Sequence, residues 1–117
     1  MRDHKFLRAF ELADESVLLI YQLTKDFPSF EIYGLTAQMR RAAVSVASNI
    51  VEGCTRQSNT EYRRFIEIAF GSLKEMHYQF SLAKRLGYFG STDISIYEEK
   101  LEETEKVLAA LLRSLNP

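Results

Sequence analysis

The residue types able to do chemistry in this 117-residue chain gather in one stretch, where Gln38, Arg41, Ser45, Asn49, Glu52 and Arg56 recur every three or four positions. Such a set offers acid–base work through Glu52, nucleophilic attack through Ser45, or binding through its polar heads. Acid–base catalysis needs a second titratable group in reach, and no histidine or paired carboxylate joins Glu52 at a usable spacing. Ser45 has no local base to take its proton. His4 and His77 are far apart in sequence, and Glu75-Met-His77 misses the Glu-x-x-His step of di-iron bundles, so no metal site is expected. No arginine stands four to seven residues before either histidine, which removes the pattern of small helical ribonucleases. Cys54, without a neighbouring histidine, reads as a packed thiol. The five glycines are scattered and form neither a phosphate loop nor a dinucleotide fingerprint. Gly71, beside Ser72, is expected to let two backbones approach closely. An enzyme is not expected, nor a cofactor or small-molecule substrate.

A step of 100° per residue puts the six polar residues in one stripe of a helix whose far side carries Leu35, Met39, Ala42, Ala43, Val46, Ala47 and Ile50. That helix is the second of four. The first follows Phe6, Phe10, Ala13, Val17 and Ile20 and stops at Pro28. Thr36 is positioned to cap the second, which runs to about Cys54, with Gly53 loosening its end. Ser58-Asn-Thr-Glu61 reads as a capping box opening the third, where Tyr62, Ile66, Ala69, Leu73, Met76, Phe80 and Ala83 keep a seven-residue repeat until Gly87. After a short turn from Gly87 to Asp93, Tyr97, Leu101, Thr104, Leu108, Leu111 and Leu115 mark the fourth, ending at Asn116-Pro117. The alternation a strand requires is absent at useful length.

Four helices with short connections predict an all-α, up-down-up-down antiparallel four-helix bundle, with residues 1–117 as a single domain. Hydrophobic residues make up 46% and charged residues 26%, the balance of a globular protein rather than a disordered one. The charged start, Met1-Arg-Asp-His-Lys5, is not a signal peptide, and Val17 to Tyr21 is too short to cross a bilayer, so no membrane contact is expected. A single cysteine forms no intrachain disulfide and points to the cytoplasm. The third helix also carries Phe65, Ile68, Phe70, Tyr78, Leu82 and Leu86, more apolar surface than one bundle core buries. A homo-oligomer is expected.

The run Gln38-x-x-Arg41-Ala42-x-x-Ser45-x-x-x-Asn49-Ile50-x-Glu52-Gly53-x-x-Arg56, then Ile68-Ala69-x-Gly71-Ser72-Leu73-x-Glu75 and Leu86-Gly87-Tyr88, resembles the four-helix-bundle family of 23S rRNA intervening-sequence proteins. Phe27-Pro28 and Tyr33-Gly34-Leu35 match as well, so the likeness covers nearly the whole chain. Departures are small: Val51 stands where the family commonly has alanine, and Cys54-Thr55 replaces an aromatic or small residue with glycine. The resemblance implies a bacterial protein, a closed homopentamer, and kinship with accessory proteins of diversity-generating retroelements, which help a reverse transcriptase. It implies no assigned activity.

The polar stripe has two readings. As a solvated face it explains Glu52 and Arg56, a four-apart pair in the favourable orientation. It explains less well Ser45, Ser48 and Asn49, poor helix formers whose small heads suit close approach of another helix. Arg41, Ser45, Asn49 and Glu52 are therefore expected to line a helix or subunit contact. Charge gives a second clue: the net charge is −1, yet Arg40, Arg41, Arg56, Arg63 and Arg64 stand against only Glu52 and Glu61 in residues 38–64. In 93–106, Asp93, Glu98, Glu99, Glu102, Glu103 and Glu105 outnumber Lys100 and Lys106. Either the five arginines meet phosphates or they pair with the acidic fourth helix, within or between subunits. The expected function is a non-enzymatic oligomeric module that binds structured RNA or a nucleic-acid enzyme such as a reverse transcriptase. The alternative is a protein-interaction scaffold or assembly factor without nucleic-acid contact.

Overall fold

A helix begins where something satisfies its first free amides, and the structure, a computed structural model describing residues 2–116, shows this at Ser58. The Ser58 hydroxyl accepts the Glu61 amide at 3.1 Å, and α3 runs from there over Asn59–Arg85. It ends where Gly87 takes φ +77°. The Gly87 amide reaches the Lys84 carbonyl at 3.1 Å and the Tyr88 amide reaches that of Ala83 at 3.0 Å, a reversal that a β-carbon would strain. Between these ends all seven residues of the expected stripe are buried.

α2 covers Leu35–Cys54, and its start corrects the expected cap. Thr36 lies within the helix and is buried. The Leu35 amide is instead accepted at 3.0 Å by the carboxylate of Glu31, which ends the short 3-10 turn Ser29–Glu31. Gly34 makes room for this: a β-carbon there would stand 2.5 Å from Glu31 Oε1.

α1 spans Arg8–Thr24, ending before Pro28 because the chain turns at Lys25. Its buried stripe is Ala9, Leu12, Ala13, Ser16, Ile20, Leu23 and Thr24, rotated from the expected one, so Phe10 and Val17 are only half-buried. The Phe6 side chain and Pro117 lie outside the described residues. Ser16 is tolerated inside because its hydroxyl donates to the Leu12 carbonyl at 2.8 Å and lies 3.2 Å from the Thr104 hydroxyl of α4. α4 (Ser95–Ser114) buries Leu101, Thr104 and Leu108; Tyr97, Leu111 and Leu115 are half-buried against the same core.

Each helix packs on the next and α4 returns to α1. Among the described residues there are four α-helices and no strand. The pairs Thr24–Arg40, Gly53–Phe65 and Lys84–Glu98 join late residues of one helix to early residues of its successor, so neighbours are antiparallel. α2 and α4 are consequently diagonal to each other, run in the same direction and present outer faces on opposite flanks. The bundle measures 44 × 25 × 21 Å. Of the surplus apolar residues, Phe65, Phe70 and Leu82 are half-buried, whereas Ile68, Tyr78 and Leu86 are exposed.

Candidate functional site

The expected stripe lies along the outer edge of the α2–α3 seam. Ser45 Oγ meets Ser72 Oγ at 2.9 Å across the two helices. Asn49 stays within α2, its amide nitrogen donating to the Ser45 carbonyl at 2.8 Å and to Ser45 Oγ at 3.1 Å. Both residues are half-buried. Gln38 and Arg41 are exposed and, with Ala42, Ser45, Ser72 and Glu75, line a shallow concavity of about 240 Å³. Gln79 lies behind it, buried, giving its amide nitrogen to Glu75 at 3.2 Å while its oxygen has no partner. Glu52 pairs with Arg56 at 2.7 Å on the surface, an interaction typically worth roughly 0.3–0.5 kcal/mol. Gly71 corrects another expectation: it is exposed and a β-carbon there would meet nothing within 4 Å. The close approach is at Gly53, where a β-carbon would stand 2.9 Å from that of Phe65.

The five arginines separate into two groups. Arg40 is occupied, its Nε donating to Thr24 Oγ1 at 2.9 Å and its guanidinium 4.7 Å from the Tyr21 ring centroid; Arg41 beside it is exposed. Two residues past the end of α2, and roughly 20 Å from Arg41 at the usual helical rise, Arg56 covers the Phe65 ring at 4.7 Å. Antiparallel packing brings Arg63 and Arg64 to that same end, where they line a concavity of about 620 Å³ with Asn59, Thr60, Glu67 and the end of α4. Arg63 pairs with Glu67 at 3.2 Å; Arg64 is exposed and, among the described residues, makes no ion pair. Arg2 reinforces this end, its guanidinium 3.9 Å from the Tyr62 ring centroid and bonded to the Arg56 carbonyl and to Asn59. Arg2 and Arg56 are fifty-four positions apart, so no local pattern of residues signals their contact.

Among the described residues none of the five arginines forms an ion pair with an acid of α4 within the protomer. Three of the acids of α4 are paired elsewhere: Glu98 with Lys84 at 3.2 Å, Glu103 with Arg8 at 2.9 Å, and Glu105 with Lys74 at 2.7 Å, with His77 Nδ1 2.6 Å from its other oxygen. The Lys74 ammonium, ahead of His77, holds the Glu105 carboxyl below the usual carboxylate range. The expected pairing within one subunit is thus not present. These acids stop at Glu105, so Lys106 and Arg113 of the far half of α4 add to Arg2, Arg56, Arg63 and Arg64, six cations against Asp3, Glu52, Glu61 and Glu67, and make this end a modestly cationic pole.

Cys54 is buried, and burial pushes its thiol pKa up, away from the thiolate that would react. The adjacent Tyr62 hydroxyl is likewise pushed up by burial. Among the described residues no group of three or more His, Cys, Asp or Glu side chains could hold a metal ion. None of the helices is long and apolar enough to cross a membrane.

A search of curated proteins returned no match. A sequence model described as 23S rRNA-intervening sequence protein matches residues 5–110. That span takes in the α2–α3 hairpin with its polar seam, the Glu31 cap and most of α4, and the chain belongs to the 23S rRNA-intervening sequence protein family.

Proposed function

We propose that the protein is a self-associating helical module, without catalysis of its own, that binds structured RNA through its cationic pole. The observation carrying this reading is that Arg56, Arg63 and Arg64 gather with Arg2 at one end of the bundle, where among the described residues none of them pairs with an acid of α4. Guanidinium groups fork onto phosphate oxygens, and the first free amides of α3 open at the same corner. The family name agrees with an RNA-related role. Self-association is supported by the outer face of α2, where Val44 and Ser48 are exposed within the charge-free run Ala42–Val51. A bundle face about 15 Å long without charge is better covered than hydrated. A reducing cytoplasm suits the unpaired Cys54.

The test is binding of structured RNA by wild type and by the Arg63→Ala/Arg64→Ala double variant across a salt series. Phosphate contact gives affinity that falls steeply with salt, and a shallower slope in the double variant. Salt-independent or absent binding rejects the RNA reading and leaves the scaffold alternative, in which the uncharged face of α2 receives protein alone. A pull-down from native lysate then separates a nucleic-acid enzyme such as a reverse transcriptase from other protein partners.

A further inference from the structure

The outer stripes of α2 and α4 carry mirror-image charge at equal spacing. On α2, Arg41 precedes Glu52 by eleven positions; on α4, Glu102 precedes Arg113 by eleven. Eleven residues are three helical turns, about 16 Å, so each pair lies on one side of its helix. Between those charges α2 carries the small residues Val44, Ser45 and Ser48, and α4 carries Lys106 one turn after Glu102, followed by the small Ala109 and Ala110. All four charged residues are exposed. Among the described residues Arg41, Glu102 and Arg113 make no ion pair, and Glu52 has only its surface contact with Arg56. Gln38, one turn before Arg41, corresponds to Glu99, one turn before Glu102. Shallow concavities lie at both places, about 240 Å³ beside Gln38 and Arg41 and about 390 Å³ among Glu102, Lys106, Ala109 and Arg113.

From this we infer that copies of the chain join head to tail, the outer face of α2 seating on α4 of the next copy. Arg41 then meets Glu102 of that copy and Glu52 meets its Arg113. The inference rests on the self-association reading above and adds the two faces, their register and their direction. Direction follows from the fold: α2 and α4 run parallel within one bundle, so a neighbour needs no inversion, only rotation about an axis along the helices. A contact between two different faces closes into a ring or continues as a filament, whereas a twofold pair would bury the same face on both copies. The placement also divides the arginines, Arg41 to assembly and the distant Arg56, Arg63 and Arg64 to the pole.

Light scattering or sedimentation of wild type, Arg41→Glu, Glu102→Arg and the Arg41→Glu/Glu102→Arg double variant tests this, with circular dichroism reporting helix content. Wild type is expected to be oligomeric, each single variant at least tenfold weaker in self-association, and the double variant largely restored, because the swapped charges attract again. Should Arg41→Glu lose its helix content, Glu102→Arg on the opposite flank carries the comparison. Single variants that keep the wild-type mass, or a double variant no better than either single one, overturn the inference while self-association stands. A wild type that stays monomeric at every concentration removes the underlying reading and the inference together.

Discussion

The Tyr88 hydroxyl donates to the Glu31 carboxylate at 2.7 Å, tying the connection between α1 and α2 to the connection after α3. The other oxygen of the same carboxylate accepts the Leu35 amide. One side chain therefore starts α2 and latches two loops. The Leu35 amide first, and Tyr88 second, hold the Glu31 carboxyl below its usual range. A depressed carboxyl stabilises the fold above the unfolded value, about 4.3, and that stability disappears as pH falls through the lower folded value. Glu31→Gln is expected to lower Tm at pH 7 and to flatten its fall between pH 5 and 3. Thermal melts of both proteins across that range check this; an unchanged acid limb removes Glu31 as a cause.

Two glycines on facing helices should respond in opposite directions. At Gly53 a β-carbon would stand 2.9 Å from the Phe65 β-carbon and 3.3 Å from the Tyr62 ring, so Gly53→Ala is expected to cost about 1–3 kcal/mol through overpacking. Gly71 has open space around it, and Gly71→Ala should stabilise the protomer by up to about 1 kcal/mol through helix propensity. Denaturant unfolding of both variants measures the contrast.

Ser16 and Thr104 form a polar contact at 3.2 Å in an otherwise apolar interior, and each hydroxyl also lies within hydrogen-bond reach of a carbonyl one turn earlier in its own helix, so their two protons are shared among three contacts. Thr104→Val is expected to destabilise by about 1 kcal/mol, since Ser16 loses one partner and keeps another. Ser16→Ala combined with Thr104→Val should cost less than the two single changes added, and a double-mutant cycle gives the coupling.

α4 buries only three side chains fully, of which Leu108 is 0% exposed. Leu108→Ala should cost about 2–5 kcal/mol and loosen α4 before the α2–α3 hairpin. Amide exchange resolved by helix would show fast exchange confined to α4. Uniform acceleration would argue for a single cooperative unit instead.

The helices and the α3 core were legible because one heptad pattern and two strong punctuation marks, Ser58 and Gly87, act locally. The start of α2 was not, because Thr36 is a favourable capping type and only the turn through Tyr33 and Gly34 brings Glu31 within reach of Leu35. The α1 stripe was misjudged for a similar reason: Phe10 and Val17 outrank Ser16 in hydrophobicity, but Ser16 finds Thr104 across the bundle and goes inside. Of the polar stripe, Gln38, Arg41, Ser45, Asn49 and Glu52 lie on α2 and Arg56 just past its end, and their partners were not predictable; Asn49 turns back onto Ser45, and Ser45 crosses to Ser72 of α3. Arginines counted as one cluster along the sequence lie roughly 20 Å apart, because Arg41 sits in the first half of α2 and Arg56 just past its far end.

A net charge of −1 would lead one to expect weak retention on any ion-exchange resin. The bundle is 44 Å long, several times the roughly 10 Å over which 0.1 M salt damps a charge, so a resin bead senses whichever tip faces it rather than the sum. Both cationic and anionic columns should therefore retain the protein at low ionic strength, each gripping the opposite tip.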